Sequence, residues 1–151
     1  MVFAEIRRMK HVRDEYVLTD DKSLLDLAVV GELLGTTYWA AERTAEQIRK
    51  SIEHSVCFGL FHGPRQVGFA RAVTDCVTFC YLCDVVVTPE HRGRGLGRWM
   101  VECMLEHPDL QTTTQCLRTR DAHGLYEPFG FARTEYLRRS TQDWSSAISA
   151  A

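Results

Sequence analysis

A mixed, mainly antiparallel α/β sheet with helices on both faces is the fold class this sequence predicts. Three observations predict it. Apolar residues recur at helical spacing in the first third of the chain and give way to strand-like runs after His54. Two of those runs are separated only by His62-Gly63-Pro64-Arg65, which is hairpin chemistry. From Val77 onward, strand patterns alternate with helical ones, the mark of strand–helix–strand crossovers. A chain of 151 residues buries roughly two thirds of its unfolded surface, enough for one core and too little for two. No linker or repeat interrupts it, so residues 1–151 read as one domain.

Each element follows from its residues. Residues 1–15 interleave Arg7, Arg8, Lys10, Arg13, Asp14 and Glu15 without a period and read as a polar arm. Tyr16 to Thr19 is a short strand. Asp20 to Ser23 supplies capping side chains, after which Leu24, Leu25, Leu27, Ala28, Leu33 and Leu34 keep helical spacing until Gly35. Thr36 to Arg43 is a loop containing Tyr38 and Trp39. Thr44 caps a second helix from Ala45 to about Ser55, with Ile48 and Ile52 on one face. Val56 to Phe61 and Gln66 to Thr74 are the hairpin strands. Val77 to Val87 is apolar on both faces and belongs in the sheet interior. Leu96, Met100, Cys103 and Met104 mark a helix that Pro108 ends. Gln115 to Thr119 is a strand, Asp121 to Phe129 a short helix closed by Gly130, and Phe131 to Leu137 a last strand. Residues 140–151 are a polar tail, and the order is β-α-α-β-β-β-α-β-α-β.

Composition narrows the function classes. Eighteen basic and twenty acidic residues leave a net charge of −2, which offers no field for nucleic acid or an anionic membrane. The longest run free of Asp, Glu, Lys and Arg is His54 to Pro64, eleven residues, whereas a spanning helix needs ~20. With no apolar signal core in the first residues, the reading is a cytoplasmic protein. Six cysteines include the pair Cys80 and Cys83, with Cys76 just before it. They read as small core hydrophobes rather than a metal site, because no second ligand pair follows and a strand points Cys80 and Cys83 to opposite faces.

The most informative segment runs from Val85 to Met100. A buried strand ends, a turn with Gly93, Gly95 and Gly97 follows, and a helix begins near Leu96. Glycines permit positive φ and clear side chains from a closely approaching ligand. Outward-pointing amides at the positive end of the helix dipole make an anion cradle. Arg92, Arg94 and Arg98 add charge around it. The spacing fits neither a P-loop, which lacks its Lys-Ser/Thr here, nor G-x-G-x-x-G.

Val87-x-Pro89-x-x-Arg92-Gly93-x-Gly95-x-Gly97 resembles motif A of the GNAT superfamily of N-acetyltransferases. Ala122-x-x-Leu125-Tyr126-x-x-x-Gly130-Phe131 resembles the same superfamily's motif B, and the element order from Tyr16 to Leu137 fits as well. The resemblance implies acetyl-CoA as co-substrate and no metal. It also implies that the strand before the turn splays from its neighbour, so that Val85, Val86 and Val87 meet the pantetheine arm. The pyrophosphate is then expected on Arg92, Gly93, Arg94, Gly95, Leu96, Gly97 and Arg98. Thr119 stands where many relatives carry a pantetheine-binding asparagine.

Transfer to an amine needs that amine neutral, and for a lysine-like group with pKa ~10.4 this costs ~4.6 kcal/mol at pH 7. Asp84, alone in an apolar strand, is either the base or substrate-binding group, or a structural carboxylate paired with an arginine or a tyrosine hydroxyl. Tyr126 matches the motif tyrosine and would act as general acid toward the departing thiolate. Tyr38 and Trp39 would wall the acceptor pocket. The function expected is direct acetyl transfer to a primary amine, on a small molecule or a peptide. The alternative is a non-catalytic CoA-binding regulatory module. A homodimer is compatible with the sequence but not indicated by it.

Overall fold

The computed structural model describes residues 8–140. Its strands are β1 (Lys10–Arg13), β2 (Tyr16–Thr19), β3 (Val56–His62), β4 (Arg65–Thr74), β5 (Phe79–Val87) and β6 (Thr114–Leu117). They form one sheet in sequence order, antiparallel throughout except for the parallel β5–β6 pair. The helices are α1 (Leu27–Gly35), α2 (Ala45–Glu53), α3 (Leu96–Leu105) and the short α4 (His123–Tyr126).

The alternation of apolar side chains puts a core on each face of the sheet. On one face Phe58, Leu60, Val67, Ala70, Cys80 and Leu82 pack under Met100, Cys103 and Met104 of α3. On the other, Cys57, Phe69 and Val86 pack under Val30, Leu33 and Leu34 of α1 and Ile48 and Ile52 of α2. The two helices of the first half and the one of the second therefore close opposite faces, as the element order requires.

Local chemistry fixes the boundaries. α1 starts at Leu27 and not at Leu24, because the Asp26 carboxylate accepts the amides of Ala28 and Val29 and so caps the helix there. Residues 22–24 form a separate single turn of 3₁₀ helix. α2 starts on a capping box, in which Thr44 and Gln47 each bond the other's backbone amide.

Three parts depart from the sequence reading. The supposed arm contributes a strand: β1 pairs with β2 through a turn in which Asp14 has φ 52. Its charged residues suit a sheet edge. The expected last strand, Phe131 to Leu137, has no regular secondary structure and lies outside the sheet, and β6 is the edge. Alternate residues there are Phe131, Arg133, Glu135 and Leu137 on one side and Ala132, Thr134 and Tyr136 on the other, so neither face is consistently apolar and nothing fixes a register. Third, β5 begins at Phe79, because Asp75 accepts the amides of Val77, Thr78 and Phe79 in the preceding loop. Residues 141–151, most of the expected tail, lie outside the described residues, as do residues 1–7 of the arm.

Candidate active site

The site begins with two irregularities in β5. Phe69 pairs with Val86 and Arg71 with Cys83, so Ala70 alone stands opposite both Asp84 and Val85. This is a β-bulge, and it holds Asp84 at φ 56. β6 pairs with β5 only from Phe79 to Leu82. Beyond Leu82 no strand among the described residues pairs with that edge of β5, the splay expected from the motif resemblance. Strand β5, still paired with β4 through Val87 on its other edge, thus forms one wall of an open cleft of about 820 Å³.

At the far end of β5 the chain turns into α3. Gly93 and Gly95 have φ 77 and φ 73, a conformation costly for residues with a side chain. Gly95 caps α3 with no side-chain hydrogen bond, so the first amides of the helix stay open. A Cβ at Gly93 or Gly97 would meet no atom within 4 Å. The turn is therefore a bare backbone cradle facing the cleft, of the kind that takes a pyrophosphate. Arg92 secures it by donating from Nε to the Val87 carbonyl at 2.9 Å and from Nη2 to Thr36 Oγ1 at 3.3 Å. Arg98 lies over the Phe129 ring at 5.7 Å, tying α3 to the segment after α4.

Of the residues predicted to hold the cofactor, Val85, Val86, Val87, Arg92, Gly93, Gly95, Leu96, Gly97, Arg98 and Thr119 line this one cleft. Arg94 does not; its guanidinium turns outward to the Tyr16 hydroxyl at 3.4 Å. Thr119 Oγ1 accepts the Ala122 amide at 2.9 Å and so shapes the entry to α4. Tyr38, Trp39, Asp84 and Tyr126 line the cleft as well. Residues far apart in sequence thus share one surface.

Asp84 is 3% exposed and carries three donors. Arg43 Nη1 and Arg71 Nε reach Oδ2 at 2.6 and 2.9 Å, and Trp39 Nε1 reaches Oδ1 at 3.0 Å. Burial pushes its carboxyl up, but the two guanidiniums outweigh burial and hold it below the ordinary carboxylate range. Trp39 and Arg43 come from the loop between α1 and α2, so Asp84 is the point where that loop fastens to the bulge. Tyr126 is a different case. Burial, with smaller contributions from Tyr38, Cys83 and Asp121, pushes its phenol up to about 12. It therefore stays protonated at any ordinary pH and faces the cleft beside the splayed strand.

The profile of the acetyltransferase (GNAT) domain family matches residues 53–133, from the end of α2 to the segment after motif B. A crystal structure of a candidate acetyltransferase of the GNAT family from Xanthomonas campestris is 38% identical. It superposes with a TM-score of 0.80, over 89% of this chain and 99% of that one. The chain belongs to the GNAT acetyltransferase family.

Two curated relatives extend the comparison. A candidate acetyltransferase of Gibberella zeae is 34% identical over 114 residues, 62% of this chain and 64% of that protein. Serotonin N-acetyltransferase 2, chloroplastic, of Oryza sativa subsp. japonica is 35% identical over 83 residues, 52% of this chain and 41% of that protein. The chain thus spans less than two thirds of the length of these curated relatives.

The GNAT cleft also contains residues that the sequence reading did not single out. Arg71, on β4, pairs with Asp84 and with Ser55 Oγ at 3.0 Å. Tyr81, Arg118, Arg120 and Asp121 face the cleft from β5 and the stretch after β6. Arg120 stacks its guanidinium 3.8 Å from the Tyr38 ring centroid and gives its amide to the Tyr38 hydroxyl at 3.2 Å. No sequence signal marks Arg71 or Arg120, because each meets its partner across more than ten residues of chain.

The cysteines sort by face. Cys80 is buried under α3, while Cys83 lines the cleft next to Asp84. All six are free thiols. Among the described residues no group of three or more His, Cys, Asp or Glu stands close enough to hold a metal, and no helix is long and apolar enough to cross a membrane.

Proposed function

We propose that this chain transfers an acetyl group from acetyl-CoA directly to a primary amine. The observation that carries the reading is the convergence, on one cleft, of the bare glycine turn, the splayed strand β5 and the protonated Tyr126. The amides from Gly93 to Arg98, with Arg92 and Arg98, would hold the pyrophosphate, and the unpaired β5 edge from Val85 to Val87 would hold the pantetheine arm. Acetyl-CoA supplies an acetyl group activated as a thioester; transfer forms one C–N bond, breaks one C–S bond, and moves one amine proton away as the sulfur gains one.

The protein's own groups divide this work. Tyr126 offers its O–H toward the departing thiolate. With a phenol pKa of about 12 against a thiol near ~8.5, full proton delivery is uphill, so its main contribution is a hydrogen bond to developing charge. Asp84 fits the paired alternative better than the base. Both its oxygens are occupied and its pKa is low, so taking a proton would cost it two ion pairs. It acts by fastening Trp39 and Arg43 over the acceptor side. Asp121 is the other carboxylate of the cleft, is exposed, and is the group free to receive the amine proton directly or through water.

Gly97→Glu tests the reading. Its Cβ points into open space, and an acidic residue in the first helical turn is compatible with the fold. The melting temperature of the unliganded protein should hold, while calorimetric affinity for acetyl-CoA falls at least a hundredfold. Unchanged affinity means the cradle does not hold the cofactor. The regulatory alternative predicts acetyl-CoA binding with no thiol released over a panel of amines.

A further inference from the structure

The charge of the cleft is far from the −2 of the chain. Among the described residues, eight arginines line it against two carboxylates, Asp84 and Asp121. Two of the eight, Arg43 and Arg71, are spent on Asp84. Two more, Arg92 and Arg98, stand at the glycine turn. Arg118 has a partner of its own, and Arg120, Arg138 and Arg139 complete the lining.

Arg118 and Arg120 follow β6, whose parallel pairing with β5 ends at Leu82, and Arg138 and Arg139 come shortly after Tyr136. Arg120 is fixed to Tyr38, the neighbour of the Trp39 that bonds Asp84. Arg118 and Tyr136 are close enough to Tyr81 to act on its hydroxyl. Tyr81 precedes Val87 by six residues, roughly 20 Å of strand, so the Tyr81 side of the cleft is removed from the pyrophosphate cradle. Arg120, Arg138 and Arg139 are exposed and make no ion pair among the described residues. The same stretch of wall is aromatic, with Tyr38, Trp39, Tyr81 and Tyr136.

We propose that the acceptor is a small amine that also carries an oxyanion, a carboxylate or a phosphate, on a flat apolar body; this rests on the acetyl-transfer reading above. Guanidiniums in a half-enclosed cleft bind oxyanions in fork geometry and repel a simple ammonium cation. The aromatic wall takes the apolar body. The same positive charge also favours the neutral form of a bound amine, which is the form that attacks. The arginines therefore do two things at once: they select the anionic acceptor and they help remove its proton.

The test compares matched amines with and without the oxyanion: phenylalanine with phenethylamine, tryptophan with tryptamine, and O-phosphoethanolamine with ethanolamine. Acetyl-CoA binding is first measured by calorimetry; its absence removes the acetyl-transfer reading and this one with it. With the cofactor bound, turnover is followed by thiol release, and binding by the melting-temperature shift in the presence of CoA. The expected result is at least a tenfold kcat/KM preference for the oxyanion-bearing member of one or more pairs, with the amino acid and phosphate arms separating carboxylate from phosphate. In Arg120→Ala and Arg139→Ala that preference should fall below threefold while acetyl-CoA affinity stays within twofold. Three results overturn the proposal: equal or better use of the plain amines, no binding of any oxyanion-bearing member, or arginine variants that weaken acetyl-CoA binding and leave acceptor preference unchanged.

Discussion

Asp84→Asn is the perturbation that separates the fold of this site from its chemistry. Asparagine keeps the shape of the side chain and tolerates the left-handed backbone that Asp84 holds at φ 56. What it removes is the charge, leaving Arg43 and Arg71 facing a neutral amide. Their side chains are only 19% and 12% exposed, so water cannot replace the carboxylate. Breaking one partner out of a buried ion pair costs about 3–5 kcal/mol. A chain of 151 residues loses ~2–4 °C per kcal/mol, so the melting temperature should fall by roughly 6–20 °C. The pH dependence carries the same signature. The folded-state pKa of Asp84 lies below its unfolded value of ~3.9, so its contribution is present above that value and fades as pH falls through the folded one. The assay is urea unfolding of wild type and variant at pH 7 and at pH 3. The gap between them should be wide at pH 7 and narrow toward low pH. A loss below about 1 kcal/mol at pH 7 refutes the clamp, since a solvated pair contributes no more than that. A stable variant that loses turnover completely would instead return Asp84 to the role of base.

Three further outcomes follow from the structure. Tyr126→Phe should lower kcat by ~10²-fold, the usual effect of losing one hydrogen bond to developing charge, while acetyl-CoA affinity measured by calorimetry stays within twofold; equal turnover would make Tyr126 a packing residue. Because its phenol is pushed up to about 12, the donor form persists, and the pH profile of kcat should show no falling limb below about pH 10. Among the thiols, Cys76 is the exposed one, whereas Cys57, Cys80 and Cys103 are buried with their thiols pushed up to about 11. A slow reagent such as iodoacetamide should therefore modify Cys76 first in the native protein, as peptide mass mapping would show, and early modification of Cys80 would contradict the packing under α3.

Much of this protein was legible in one dimension. Thr44 and Gln47 announce the start of α2, because a capping box is a contact between residues three apart. The hairpin of β3 and β4 follows from its turn, and the glycine run of Gly93, Gly95 and Gly97 marks a turn whose backbone carries no side chains. These features are local, so the sequence alone carries them, along with the family's two motifs. The strand pattern failed at both ends. Whether β1 forms, or Phe131 to Leu137 pairs, depends on an edge supplied from elsewhere in the chain.

The tertiary structure alone decided the chemistry of Asp84. Its position in an apolar strand says that it needs a partner or a task; that the partners are Arg43, Arg71 and Trp39 depends on a bulge and a loop docking together. The same holds for the basic end of the cleft. A net charge of −2 averages over the whole surface, while the fold gathers eight arginines around one groove. Charge acts over distances of a few ångströms in space, and only the folded chain sets which charges are that near.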